Sequence, residues 1–163
     1  MTFKVGTIIN DKGFEKAMKS IGFLRSMDVR VGYIKDSTDR KETGDTNAGL
    51  AYFHNFGAPK RNIPPRPYLE PALNKTREQC LNIMRAGMRE ALAGSADAER
   101  KTLVRCGTII RDAAKEIIRN QEGFAPLSER TLIQRQQKKF KGTKALIHTG
   151  QLLNAITFEV KDA

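Results

Sequence analysis

Three prolines within four positions, in Ile63-Pro64-Pro65-Arg66-Pro67-Tyr68, constrain the fold of this chain more than any other feature. Each proline holds φ at about −65°, donates no N–H, and pushes the residue before it toward extended geometry. The segment can be neither helix nor central strand. It is a stiff extended strap, and the chain changes character across it. Pro71 falls in the first turn of the helix that follows, where a missing N–H costs nothing.

Before the strap, apolar residues alternate. Phe3, Val5, Thr7 and Ile9 form one period-two run; Met27, Val29, Val31 and Tyr33 form another, with Asp28 and Arg30 facing the other way. A third lies near the end, in Ile156, Phe158 and Val160, with Thr157, Glu159 and Lys161 opposite. Such alternation suits a sheet with one face on a core and the other in water. Between the first two runs, Phe14, Ala17, Met18 and Ile21 have helical spacing within Asp11–Phe23, with Asn10 or Asp11 as cap. Asp36 to Asn47 carries no apolar side chain and reads as a solvent-facing loop. Ala48 to Phe56 then forms a short helix stopped by Gly57.

After the strap the period becomes helical. Leu69, Leu73, Cys80, Met84, Met88 and Ala91 fall near one face of a first long helix, and Leu103, Cys106, Ile110, Ala113 and Ile117 near one face of a second. Gly94-Ser95 separates them, with Ser95 a suitable cap, and Gly123 ends the second. Ser128 caps a third, short helix with Glu129 at its positive end, and Gly142 and Gly150 mark turns before the last strand. The expected fold is α+β: a small antiparallel sheet of three to four strands, packed on one face by two long helices and shorter ones. With 163 residues, one domain spanning 1–163 is expected, with mobile loops at 36–47 and 138–147.

Chemistry is excluded more firmly than it is assigned. There is no phosphate loop, dinucleotide fingerprint or Gly-x-Ser-x-Gly elbow, so no catalytic residue and no cofactor site is expected. His54 and His148 lack neighbouring ligands, so no metal is expected. Cys80 and Cys106 read as buried, reduced thiols. Arg61-x-x-Pro64-x-x-Pro67 matches a polyproline ligand pattern, but Tyr68 and Leu69 read as core residues, which favours a structural strap. No apolar run is long enough to span a bilayer, and the start lacks a secretory layout; synthesis in a cytoplasm is expected. The net charge is +11, and Arg130, Arg135, Lys138, Lys139, Lys141 and Lys144 form a basic patch in a stretch without acids. Such a patch suits nucleic acid or an acidic protein face, although only Phe140 interleaves it for stacking.

Several segments together resemble one family. His54-Asn55-Phe56-Gly57 and Ile63-Pro64-Pro65-Arg66-Pro67-Tyr68-Leu69-Glu70-Pro71-Ala72-Leu73 are similar to the Asn-(Glu or Phe)-(Phe or Gly)-Gly and Ile-Pro-x-Arg-Pro-Phe-Leu-x-Pro-Ala hallmark of small tailed-bacteriophage morphogenesis proteins, the tail-completion, head–tail joining or neck proteins. Ala125-Pro126-Leu127-Ser128-x-x-Thr131 and Lys144 to Ile156, with Thr149-Gly150-Gln151-Leu152 inside it, resemble two later segments of that family, in the same order. Tyr68 stands for the family's Phe, Ala145 for its Pro, and Ala155 for its small hydroxyl residue.

The resemblance implies a non-enzymatic virion protein. It would act as a ring homo-oligomer, commonly a hexamer, at the neck or tail end, assembled in the host cytoplasm. Its partners would be copies of itself, the tail-tube protein and the head connector, with incidental contact to genomic DNA and none to membrane. Asp39, Arg40, Lys41, Lys60, Arg61 and Arg66 are the candidate assembly interface. The alternative is a basic module that binds duplex DNA through the patch.

Overall fold

The computed structural model describes residues 27–34 and 46–162. The expected strand at Phe3–Ile9, the helix at Asp11–Phe23 and most of the 36–47 loop lie outside them. The described elements run β1 (Met27–Gly32), α1 (Asn47–Phe56), a 3₁₀ turn (Pro59–Arg61), α2 (Leu69–Leu92), α3 (Ala98–Asn120), α4 (Glu129–Gln137), α5 (Gln151–Asn154) and β2 (Thr157–Asp162). The architecture is mixed helix with a small antiparallel sheet. Among the described residues that sheet has two strands, β1 and β2.

The register pairs Val29 with Val160 and Val31 with Phe158 on one face, and Asp28 with Lys161 and Arg30 with Glu159 on the other. Opposite charges therefore face each other across the wet side, a pairing that favours this register. The apolar side lies on α3 at close range: a Cβ at Gly107 would stand 2.6 Å from the Phe158 ring and 2.9 Å from Val29. Only a glycine lets the helix approach the strands so nearly.

The second layer is the antiparallel pair α2 and α3, the two long helices expected from the sequence. Their contact is made by small residues. Ala72, Thr76, Cys80, Gly87 and Ala91 are buried on α2, and Ala98, Cys106, Gly107, Ala113 and Ala114 on α3. A Cβ at Gly87 would collide with the Thr102 side chain. This corrects the expected α2 face: Leu73, Met84 and Met88, placed on it by spacing, are 47%, 39% and 49% exposed. The helices are close enough that the inner line must be small, and the larger side chains flank it.

Two caps also differ from expectation. Gly94, at φ +97°, ends the turn after α2, but α3 begins after Asp97 and not after Ser95. At its other end α3 stops on Gln121 in the left-handed region, φ 60°, two residues before Gly123. Thr46 caps α1 through Gly49 N at 3.0 Å, and Ser128 caps α4 through Thr131 N at 3.3 Å. The main core gathers Tyr68 and Ala72, the end of α3 with Ile117 and Ile118, and the closing segment with Leu146, Leu152, Leu153 and Ile156.

Candidate functional site

The strap is held at three points. Beside it, Ala58 and Ile63 exchange backbone hydrogen bonds of 2.8 and 3.2 Å across the 3₁₀ turn. Gly57, at φ +75°, leaves room for this: a Cβ there would stand 2.9 Å from both the Ile63 carbonyl oxygen and Pro65 N. The glycine that stops α1 is thus required by the strap it precedes. Arg66 N then donates to the His54 carbonyl at 2.7 Å, fastening the strap to the end of α1. Tyr68 is fully buried, its hydroxyl 2.8 Å from that of Tyr33. Burial pushes the Tyr68 phenol up to about 12, with the Tyr33 bond opposing.

Arg66 is the third point. Its side chain is 5% exposed; Nε donates to the Ala125 carbonyl at 2.9 Å and Nη2 to that of Pro126 at 3.0 Å. Burial lowers its pKa. The guanidinium fork matches two successive carbonyls, a geometry that one ammonium cannot copy. Arg66 therefore stands inside the fold and not on a free surface, joining the strap to the Pro126-Leu127-Ser128 segment.

Next to this junction lies a cleft of about 540 Å³. Its walls include residues of each segment that carries the family resemblance: His54 on α1, Ile63 and Pro64 in the strap, Leu127, Ser128 and Thr131 at the start of α4, and His148 to Leu152 at the closing turn. Four stretches far apart in sequence meet there. Gln121 helps to set the last wall, since its amide accepts from Ala145 N at 2.6 Å and donates to Ala145 O at 3.0 Å. No spacing or motif marked Gln121 in the sequence, because its role depends on a backbone that arrives from elsewhere.

Lys60 and Arg61 lie on the exposed 3₁₀ turn, and the Arg61 guanidinium stands 5.4 Å from the ring centre of Phe53. Phe53 belongs to an exposed aromatic group on α1, with Tyr52 and Phe56 at 4.9 Å between ring centres. Asp39, Arg40 and Lys41 lie outside the described residues. The structure thus separates Arg66 from Lys60 and Arg61, which the sequence grouped.

The basic patch is also divided. Arg130, Lys138, Lys139, Lys141 and Lys144 are exposed. Lys144 donates to the Arg119 carbonyl at 2.7 Å, on the last turn of α3. Arg135 is half-buried, donates to the Gly142 and Lys144 carbonyls at 2.8 and 3.0 Å, and lies over Phe140, whose ring meets His148 at 4.5 Å. Burial lowers its pKa. Arg135 thus organises the loop that carries the free cations.

Cys80 and Cys106 are buried and unbridged, with the Cys106 thiol 3.8 Å from the Cys80 carbonyl oxygen. Burial pushes the Cys106 thiol up to about 11, and Cys80 adds to the shift. Such a thiol is a poor nucleophile. Among the described residues no group of three or more His, Cys, Asp or Glu is placed to hold a metal, and no helix is long and apolar enough to cross a membrane. Comparison with protein-family models, curated proteins and solved structures finds no match.

Proposed function

We propose that this chain is a structural protein of a tailed bacteriophage that completes the tail or joins it to the head, acting as a ring at the neck. One observation carries the reading: the family-like segments, distant in sequence, converge on a single cleft. The hallmark glycine, strap and arginine serve one junction, and the later Pro-Leu-Ser and Thr-Gly-Gln-Leu segments form its opposite walls. A body braced in this way, with exposed aromatics on α1 and exposed Leu and Met on α2, is suited to being held by neighbours. Head-to-tail contact that closes by rotation yields a ring, of six copies in the commonest arrangement for such proteins.

The fuller sheet of three to four strands belongs to the same proposal, with Phe3 to Ile9 as its third strand. The protein is no enzyme, works within the virion after assembly in the host cytoplasm, and meets tail-tube and connector proteins. Solution mass and negative-stain images with purified tail tubes test this: rings, alone or on tube ends, are expected. A strict monomer that ignores tail-tube protein would overturn it.

The exposed cations Arg130, Lys138, Lys139 and Lys141 favour one second reading, binding to duplex DNA. Affinity that falls steeply between two salt concentrations is its signature.

A further inference from the structure

We infer that the turn closing α4, from Gln137 to Lys144, is a preformed seat for the phosphate backbone of a nucleic-acid duplex, with Lys139 at its centre. The inference rests on the duplex-DNA reading and deepens it by naming what holds the phosphates. The turn is a Schellman motif: Lys139 N donates to the Gln136 carbonyl at 2.8 Å, and Phe140 N to the Arg135 carbonyl at 2.8 Å. That motif sets Lys139 in the left-handed region, at φ 57°. Glycine is the ordinary occupant of such a position, because other side chains are strained there. A lysine held where glycine folds better points to a use for its charge. The rest of the turn is fastened too. Arg135 donates through Nη1 to the Gly142 and Lys144 carbonyls at 2.8 and 3.0 Å, and Lys144 Nζ donates to the Arg119 carbonyl at 2.7 Å.

Those two cations are spent on carbonyls, and the binding charges are the others. Arg130, Lys138, Lys139 and Lys141 are exposed, and none of them takes part in an ion pair among the described residues. All four are charged at neutral pH, and no Asp or Glu occurs in sequence from Arg130 to Phe158. Two features select the occupant. Protein interfaces are poor in lysine and are built around aromatic and Met anchors. Here the charges are mainly lysines, and the aromatic among them, Phe140, is already engaged. The Arg135 guanidinium stands 5.3 Å from its ring centre, the His148 ring meets it at 4.5 Å, and a Cβ on Gly142 would collide with it. A ring packed in this way does not offer its faces to unpaired bases, which single strands stack on aromatics. What remains is a set of point charges on a fixed turn. It suits the regularly spaced phosphates of a duplex and is blind to base sequence.

The test follows the fluorescence anisotropy of short labelled duplexes of two unrelated sequences, and of one single strand, as the full chain is added at several salt concentrations. The duplexes are expected to bind alike and more tightly than the single strand. Log affinity is expected to fall against log salt with a slope of about −3 per bound chain. Lys139→Gly is the decisive variant. It relieves the turn, so the urea midpoint rises, yet it removes a phosphate contact, so affinity falls and the slope shrinks by about 0.9. Arg135→Lys keeps the charge but loses the fork, so affinity falls about fivefold at an unchanged slope. A higher midpoint for Lys139→Gly with unchanged binding would make the lysine merely structural and overturn the inference. So would tighter binding of the single strand, or equal binding to polyglutamate or to phosphatidylserine vesicles. If the parent chain ignores duplex, the inference and the duplex-DNA reading fall together. If it binds and both variants bind as well, that reading stands and the seat falls. Ring formation on tail tubes is a separate measurement that neither result touches.

Discussion

The Arg66 side chain spans two carbonyls, those of Ala125 and Pro126, from a position where almost no water reaches it. Lysine at this position keeps the charge but supplies a single ammonium, so one carbonyl loses its donor. Arg66→Lys is expected to lower stability by about 1.5–3 kcal/mol, measured by urea denaturation. Glu99 presents the opposite case. It is 3% exposed, and among the described residues neither carboxylate oxygen has a hydrogen-bond partner within ordinary geometry. Burial raises its pKa; the nearby Met27 backbone amide opposes this, and the Asp162 charge adds to it. The folded protein therefore holds this proton to a higher pH than the unfolded chain. Its contribution is complete below the ordinary glutamate range and is lost as pH rises through the folded value. Glu99→Gln should remove that loss, giving a variant more stable than the parent at neutral pH and equal to it in acid. Paired denaturation curves across pH check the sign. In sequence Glu99 looks like any acid in the first turn of a helix. Its burial is set by β1 and β2 arriving from the two ends of the chain, and no local pattern carries that information.

Helix positions were legible because caps and periodicity are local. Gly57, Ser128 and Gly94 act within a turn of their own position, and β1 and β2 follow the alternation that the sequence displays. Which side of α2 turns inward was not legible. Period alone placed Leu73, Met84 and Met88 inside, yet the inner line is Ala72, Thr76, Cys80, Gly87 and Ala91. The distance between helices decides this, and that distance is fixed by pairs such as Gly87 with Thr102. Gly87→Ala is expected to cost about 1–3 kcal/mol, because its methyl has no space. Thr102→Ala in the same chain should recover part of the loss, and a double-mutant cycle measures how much. Met88 stands outside this contact. Met88→Glu should leave monomer stability within about 0.5 kcal/mol while, on the assembly reading, weakening self-association in sedimentation experiments.

At the scale of the molecule, the cleft was the least legible feature and the most organised one. Each wall segment was visible by composition, but their meeting depends on two side-chain to backbone clamps, Arg66 onto Ala125 and Pro126, and Gln121 onto Ala145. Neither clamp has a sequence period. The pairing of β1 with β2 spans a greater distance in sequence, since Met27 faces Asp162 across nearly the whole described length. Contacts between such remote residues form late, after the entropy of closing the chain has been met. While the protein is being translated, Val29 and Val31 lack their β2 partners Val160 and Phe158 until the ribosome has released the final stretch. A transcript cut short before Thr157 would thus yield a product in which β1 lacks β2, a natural target for proteases. In the cell, only polypeptides synthesised through Asp162 could complete this sheet and persist.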